Sequence, residues 1–201
     1  MTFQEKALIL KRWNLTEQEL TEIIDQNPSM RGLMLGYIAE YKLKKMHFSD
    51  PRFTSVKKDD DHDRKKKGDL TVTYRGREFR VECKSLQTNT VTRTKTGYEA
   101  KYQCDASDRR KVSFSDGSTI ETTCLIVGEF DIIAVNLFAF EGKWIFGFAR
   151  NKDLPRSKFK KYTEFQRREL LSSLMPITFP LSAPYTDSPF PLLDQLIDAP
   201  K

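Results

Sequence analysis

The segment GDLTVTYRGREFRVECKS, residues 68–85, decides the fold, because polar and apolar side chains alternate on both sides of a short turn signal. The apolar residues occupy every second position, at Leu70, Val72 and Tyr74 before the turn and at Phe79, Val81 and Cys83 after it. A period of two is typical of a β-strand with one buried face. The segment therefore predicts a β-hairpin that turns at Arg75-Gly76.

The hairpin brings two acids together. With a two-residue turn, facing residues have numbers that sum to 151, so Asp69 faces Glu82. Their Cβ atoms would lie about 4.5–5.5 Å apart on one face, to which Lys84 also points. Two carboxylates this close repel each other unless a cation or a proton lies between them. The pattern predicts a hard divalent cation with oxygen ligands, and Mg²⁺ is its usual occupant.

A lysine beside such a cation has a chemical meaning. A metal and an ammonium group together lower the pKa of a water and orient it for attack on phosphorus. The backbone carbonyl of Cys83, between Glu82 and Lys84, is a further candidate metal ligand. The alternative interpretation is a solvated strand face, on which Glu-Lys pairs are common. That interpretation leaves the repulsion between Asp69 and Glu82 without a reason.

The strings KGDL and VECKSL, with their acids thirteen residues apart, resemble the PD-(D/E)XK nuclease superfamily, the fold of many type II restriction endonucleases. The similarity covers residues 31–149. It implies that Asp69 and Glu82 bind metal, that Lys84 is the catalytic lysine, and that Glu40 in GYIAEYKLKK is the helix glutamate of the family. A surface position is the alternative for Glu40. The resemblance further implies hydrolysis of DNA phosphodiester bonds with one or two Mg²⁺ ions, for which Mn²⁺ can substitute.

Two positions depart from the family pattern. Gly68 stands where the family has proline, a commonly varied position. The Q-x-x-x-Y helix motif of exonuclease-like members is absent from YEAKYQCDASDRR, residues 98–110. This absence argues against recombination-type exonucleases and favours restriction-type enzymes.

The order of elements predicts an α/β fold with a restriction-endonuclease-like core, in which helices flank a central mixed β-sheet. The expected helices are residues 16–24, opened by a Thr16/Glu19 capping box, and residues 30–46, 98–107 and 162–174. The expected strands besides the hairpin are residues 53–56, 120–127, 130–140 and 143–149, with 130–140 apolar enough to be central. We expect one domain, 1–201, made of a helical N-terminal segment (1–29), a catalytic core (30–149) and a C-terminal helix with a Pro-rich tail (150–201).

Basic charge is concentrated near the predicted site. The 201 residues include 34 Lys and Arg against 28 Asp and Glu. Residues 75–112 alone hold ten basic residues and five acids, as a phosphate backbone would favour. The charged run KKDDDHDRKKK, residues 57–67, is interpreted as a solvated loop. The candidate DNA-binding residues are Gln87, Asn89, Arg93, Lys95, Lys101, Gln103, Arg109, Arg110 and Lys111.

Other residue types exclude several classes of protein. Cys83, Cys104 and Cys124 are far apart and lack metal-ligand spacing, so zinc is disfavoured and reduced thiols are expected. Two histidines, His47 and His62, leave no basis for an HNH nuclease or a histidine-based triad. The N-terminal residues MTFQEKALILKRW lack a signal-peptide pattern, and no apolar run is long enough to span a membrane. We therefore expect a cytoplasmic protein.

The expected function is a type II restriction endonuclease that cleaves double-stranded DNA. A palindromic target would favour a homodimer, because the symmetry of such a site mirrors that of the protein. A DNA methyltransferase acting on the same site would be its companion. Two alternatives stay open: a structure-specific or repair nuclease of the same superfamily, and a non-catalytic DNA-binding module.

Overall fold

The computed structural model describes residues 8–58 and 68–199, which fall into two compact units, Met1–Ile38 and Ala39–Lys201. The first unit contains helices α1 (Ile9–Trp13) and α2 (Glu17–Gln26), and α3 (Pro28–Met46) begins in it and ends in the second unit. The predicted capping box opens α2, with the Thr16 hydroxyl accepting from the Glu19 N–H and the Glu19 carboxylate accepting from the Thr16 N–H. No described residue of α1 or α2 is buried.

Among the described residues, the second unit contains ten strands and three further α-helices. The strands are β1 (Phe53–Lys58), β2 (Leu70–Tyr74), β3 (Arg77–Ser85), β4 (Thr92–Arg93), β5 (Tyr98–Gln103), β6 (Asp105–Ser113), β7 (Thr119–Cys124), β8 (Ile132–Asn136), β9 (Phe146–Arg150) and β10 (Leu174–Phe179). The helices are α4 (Phe138–Glu141), α5 (Glu164–Glu169) and α6 (Phe190–Asp198). Within the described residues, no helix is both long and apolar enough to cross a membrane.

A mixed sheet with the order β1-β2-β3-β8-β9 forms the centre of this unit. Its neighbours are antiparallel except β3 and β8, which are parallel. The mixed α/β class expected from the sequence is confirmed, and so is the interior position of the apolar strand. All five residues of β8 are buried, because this strand packs on both of its faces.

Two hydrophobic clusters cover the two faces of the sheet. One contains Val81 and Ile132 of the sheet together with Leu43 of α3 and Leu193 of α6. The other contains Ile133 and Val135 of β8 and packs against the second, three-stranded sheet, which has the order β10-β5-β4. Strands β6 and β7 form a separate two-stranded ribbon.

The helix expected over residues 98–107 is wrong, because this segment forms β5 and the start of β6. Its apolar residues lie two apart, at Tyr98, Ala100, Tyr102 and Cys104. Ala100, Tyr102 and Cys104 are buried while Glu99, Lys101 and Gln103 are exposed, as a half-buried strand requires. The alternation of apolar and polar residues therefore determines the strand conformation of this segment, although its polar composition favours a helix.

The C-terminal region is more ordered than a Pro-rich tail. The helix expected over residues 162–174 is confined to α5, and β10 and α6 follow it. Pro176 lies in β10, an edge strand, where a residue without an N–H is tolerated. Pro191 lies in the first turn of α6, where its fixed φ favours the helix. Both prolines are thus compatible with regular structure.

Two other boundaries differ from expectation. The strand expected over residues 130–140 is shorter, because Asn136 Oδ1 accepts the N–H of Phe138 at 3.0 Å and the chain turns into α4. Lys57 and Lys58, expected in a loop, belong to β1. The rest of that predicted loop, residues 59–67, lies outside the described residues.

Candidate active site

The β2–β3 hairpin has the register that the sequence predicts. Its paired residues run from Leu70 with Val81 to Tyr74 with Arg77, and each pair of numbers sums to 151. Arg75 and Gly76 form the turn, with φ of 50° and 77°. Positive φ at both central residues matches a type I′ turn, whose twist suits a two-residue hairpin. The regular pairing ends at Leu70 and Val81, one residue before Asp69 and Glu82 at the open end of the hairpin.

Asp69 is held against the backbone of β3. Its N–H donates to the carbonyl of Val81 at 2.9 Å, and its Oδ2 accepts the N–H of Cys83 at 2.7 Å. Because the N–H and C=O of one strand residue point to the same side, the Cys83 carbonyl also faces the edge at which Asp69 lies. The structure thus brings the Asp69 carboxylate and the Cys83 carbonyl to one edge of β3.

Glu82 and Lys84 form a close ion pair on one face of β3. Lys84 Nζ lies 2.6 Å from Glu82 Oε1, and the two side chains are only 22% and 11% exposed. Burial raises the pKa of Glu82; the Lys84 ammonium opposes this shift and the Asp69 carboxylate adds to it. Burial alone would lower the pKa of Lys84, but Glu82 and Asp69 outweigh it and the pKa is raised. Lys84 is therefore a protonated, positively charged donor at neutral pH.

These groups fit a hard divalent cation. Asp69 and Glu82 supply carboxylate oxygens and Cys83 a carbonyl oxygen, which is the donor set that Mg²⁺ accepts when waters complete its shell. In residues 8–58 and 68–199, no three or more His, Cys, Asp or Glu side chains are grouped to hold a metal ion. The protein ligands would thus be two carboxylates and one carbonyl. The raised pKa of Glu82 reflects unfavourable charge burial that a cation would relieve.

Glu40 approaches the same strand from α3. Its carboxylate raises the pKa of the Cys83 thiol, after the larger effects of burial and of Asp69, so it lies within electrostatic range of β3. Glu40 Oε2 also contacts Lys58 Nζ at 2.7 Å. Glu40, whose side chain is 15% exposed, therefore lies near the Cys83 side chain, on the face of the sheet that packs against α3, and Glu82 and Lys84 lie on the other face.

The sequence does not point to Glu129, an acid in the turn before β8 whose side chain is 7% exposed. Both of its carboxylate oxygens contact the guanidinium of Arg110, and Oε2 also accepts the N–H of Ile126 at 2.9 Å. The Glu129 charge contributes to the raised pKa of Glu82, so the two carboxylates are within electrostatic range of each other. A lone acid beside Gly128 carries no local signal, and only the contact between β6 and this turn reveals it.

Asp131, next to the central strand, binds the backbone of β3. Its Oδ2 accepts the N–H of Arg80 at 2.7 Å and lies 3.8 Å from the Arg80 guanidinium. These contacts tie the start of β8 to the middle of β3. Asp131 is therefore an acid at the end of a strand that helps to align the parallel strands β3 and β8.

The candidate DNA-binding residues lie on several elements. Arg93 and Lys101 are exposed on the three-stranded sheet, and Asn89 and Lys95 are exposed in the loops around β4. Gln87 and Gln103 bond to each other at 3.2 Å, and Gln103 also donates to Asp105 at 3.0 Å. On the ribbon, Arg109 and Lys111 are exposed, whereas Arg110 is half-buried in its pair with Glu129.

Comparison with protein-family models, with curated proteins and with solved structures gave no match for this chain. The resemblance to PD-(D/E)XK nucleases therefore depends on the motif residues. The geometry of Asp69, Glu82 and Lys84 is the physical argument that accompanies it.

Proposed function

We propose that this chain is a magnesium-dependent endodeoxyribonuclease with a restriction-endonuclease-like core, most consistent with a type II restriction enzyme. One observation carries the proposal: the Asp69 carboxylate accepts the N–H of Cys83, the residue between Glu82 and Lys84, and its charge acts on both of these ion-paired side chains. Two acids and a lysine in this position match the motif of the superfamily. Placing one carboxylate near another that is buried raises the free energy of the folded protein, and a bound cation would offset this cost.

The roles of the side chains follow from their contacts. Asp69, Glu82 and the Cys83 carbonyl would hold the ion, which when bound would neutralise charge on the phosphoryl oxygens and lower the pKa of a water. Lys84 keeps its proton at Nζ, because Glu82 and Asp69 raise its pKa. It can therefore orient the attacking water and stabilise developing negative charge by donating hydrogen bonds. Glu40 would support the site from α3.

The proposal extends to the oligomeric state, the metal ions and the cellular location of the enzyme. The enzyme would act on double-stranded DNA as a homodimer if its target is palindromic, since one protomer carries one such site. It would use one or two Mg²⁺ ions, accept Mn²⁺, and act in the cytoplasm beside a DNA methyltransferase of the same specificity.

The test is incubation of a complex DNA with the protein and Mg²⁺. Asp69→Asn is the sharpest variant, because an amide oxygen can still accept the Cys83 N–H while the charge is lost. Glu141 and Lys143 provide matched controls, since they form a Glu-x-Lys pair with the same spacing but at an exposed turn. We expect discrete fragments from the parent and from Lys143→Ala, and none from Asp69→Asn.

Other outcomes would redirect the proposal. A smear of fragments would indicate a nuclease without sequence preference, and cutting confined to branched or mismatched duplexes would indicate a repair enzyme. Binding without cleavage in Mg²⁺ or Mn²⁺, on several substrates, would leave a non-catalytic DNA-binding module.

A further inference from the structure

The ribbon of β6 and β7 is an element with two distinct faces. Its strands pair from Ser113 with Thr119, beside the turn, to Asp105 with Cys124 at its base. Near the base, residues 106–109 of β6 lie opposite Thr123 alone, which is a large β-bulge. A bulge bends a ribbon and increases its twist, so the outer half is set at an angle to the base.

The inner face of the ribbon is anchored to the protein. Val112 and Thr122 are buried, with 4% and 3% of their surface exposed. The Thr122 hydroxyl lies 2.8 Å from the Tyr162 hydroxyl, and Gln166 of α5 donates to the Ser118 hydroxyl at 3.2 Å. These contacts hold both the middle and the turn of the ribbon. The opposite face is therefore presented in a fixed orientation.

The outer face is polar throughout. The side chains that it exposes are Lys111, Ser113, Thr119 and Glu121, and Arg109 is exposed in the adjoining bulge. Lys111 and Glu121 are directly opposite each other. In the part of the chain that the structure describes, neither they nor Arg109 form an ion pair within 4.0 Å. The face thus offers cationic donors, hydroxyl groups and a carboxylate acceptor together.

The base of the ribbon adjoins the proposed active site. Leu86, directly after β3, forms a β-bridge with Tyr102 of β5, and the ribbon begins three residues later at Asp105. Arg110 of β6 holds Glu129, which lies near Glu82. A duplex with a phosphodiester at the proposed site would therefore pass beside the ribbon.

We infer that the β6–β7 ribbon enters the major groove of double-stranded DNA and reads base edges with Arg109, Lys111, Ser113, Thr119 and Glu121. The inference rests on the proposed function and gives it a specificity element. The major groove is about 12 Å wide and admits a two-stranded ribbon. Arginine or lysine can pair with guanine, and a carboxylate can accept from the cytosine amino group.

The acid on this face favours base reading over simple backbone binding. On a surface that contacts only the phosphate backbone, each cationic side chain increases the affinity for DNA and each carboxylate decreases it. Glu121 has no neighbour that neutralises it within salt-bridge distance among the described residues. On a face that contacts a polyanion, Glu121 would be favourable where it meets a hydrogen-bond donor, and exposed base edges supply one.

The test selects duplexes from a random-sequence pool with the full-length parent in EDTA, so that binding is separated from cleavage. We expect one short sequence to be enriched. Arg109→Ala and Lys111→Ala should weaken binding to that sequence by about 10- to 100-fold, and binding to unrelated duplex by much less. Glu121→Gln should change the preferred base at one position. Lys143→Ala, an exposed lysine outside the ribbon, should leave both affinity and preference unchanged.

Three results would overturn the inference. One is an equal loss of affinity for all sequences in the ribbon variants, with a smaller salt dependence, because that would make the ribbon a phosphate contact. Another is an unchanged base preference in Arg109→Ala, Lys111→Ala and Glu121→Gln. The last is the enrichment of no sequence by the parent. Melting temperatures equal to that of the parent exclude misfolding, since all three side chains are exposed.

The two proposals fail separately. If the parent cleaves DNA while the ribbon variants keep its site preference, the nuclease proposal stands and the ribbon inference falls. If the variants lose a preference that the parent has, but no metal supports cleavage, the ribbon inference stands and the nuclease proposal falls.

Discussion

Two Glu-x-Lys pairs in this chain have the same spacing and opposite environments. Glu82 and Lys84 end an interior strand, 2.6 Å apart, with side chains 11% and 22% exposed. Glu141 and Lys143 flank a turn after α4, 3.2 Å apart, with side chains 35% and 70% exposed. The sequence alone does not distinguish the two pairs, because both are Glu-x-Lys. The first has an additional acid, Asp69, beside it, and the second has none in ion-pair contact among the described residues.

The difference teaches that burial, and not spacing, separates a candidate site from a surface pair. An exposed ion pair contributes about 0–1 kcal/mol, because water and salt screen it. A buried pair costs desolvation, so its retention calls for a function or a specific structural role. Three of the four predictions below compare a change at the candidate site with a change at the exposed pair, and the last concerns Glu82 alone.

The largest expected effect is on catalysis. Lys84→Ala should lower the rate of DNA cleavage by about 10²- to 10³-fold, because it removes a donor aimed at developing charge. Lys143→Ala should cleave at the parental rate. Initial rates on a single-site plasmid measure the difference. Equal rates for the two variants would show that Lys84 has no role in catalysis.

The next effect is on stability. Lys84→Met leaves Glu82 buried without its partner, and we expect the free energy of unfolding to fall by about 3 kcal/mol. The exposed counterpart, Lys143→Met, should lose at most about 1 kcal/mol. Urea unfolding of both variants, monitored by circular dichroism in EDTA, gives the two values. Losses of the same size would mean that the burial of Glu82 does not distinguish the pairs.

Metal binding should stabilise the parent more than a site variant. At Mg²⁺ concentrations about 10- to 100-fold above the dissociation constant, the parent should gain roughly 1.4–2.7 kcal/mol, because the ion binds only the folded state. Asp69→Asn should gain little, whereas Glu141→Gln should gain as much as the parent. Thermal melts with and without MgCl₂ report this without any requirement for activity. A parental gain in Asp69→Asn would place the ion elsewhere.

The smallest effect is a pH dependence. Burial raises the pKa of Glu82 above its ordinary value of 4.5, so the folded state holds this proton more tightly than the unfolded state. The contribution of Glu82 to stability is therefore most favourable at low pH and decreases as the pH rises through its folded-state pKa. The parent should lose stability relative to Glu82→Gln across this range, by no more than about 1.4 kcal/mol per pH unit.

This prediction is measured by urea unfolding in EDTA at pH values between the ordinary pKa of a glutamate and neutrality. Added Mg²⁺ should reverse the trend, because a metal ion favours the deprotonated carboxylate. Parallel curves for the parent and Glu82→Gln in EDTA would contradict it.

The hairpin and its register could be predicted from sequence because several local signals agree. Alternating apolar residues and a glycine in the turn specify one pairing, and a shift by one residue would expose Val72 and Val81. The predicted position of the site follows from this register. The fully apolar run of β8 likewise predicted an interior strand.

Features that depend on distant contacts could not be predicted in this way. Strand β5 contains the charged residues Glu99 and Lys101, and its pairing with β10, about seventy residues away in the chain, determines its conformation. The role of Glu129 depends on Arg110, which a different element supplies. The sequence alone groups Arg110 with its exposed neighbours, because only the pairing of the ribbon shows that Arg110 lies on the face turned toward Glu129.

The Arg75-Gly76 turn lies at the far end of the hairpin from Asp69, yet the alignment of the acids depends on its length. Two residues are the shortest common hairpin connection, so an inserted residue can enlarge the loop and leave the strands aligned. The two-residue turn cannot absorb a deletion. One strand would then shift by one residue relative to the other, and every side chain on it would move to the opposite face. The exposed tip is therefore expected to tolerate an insertion better than a deletion, which would shift Asp69 relative to Glu82.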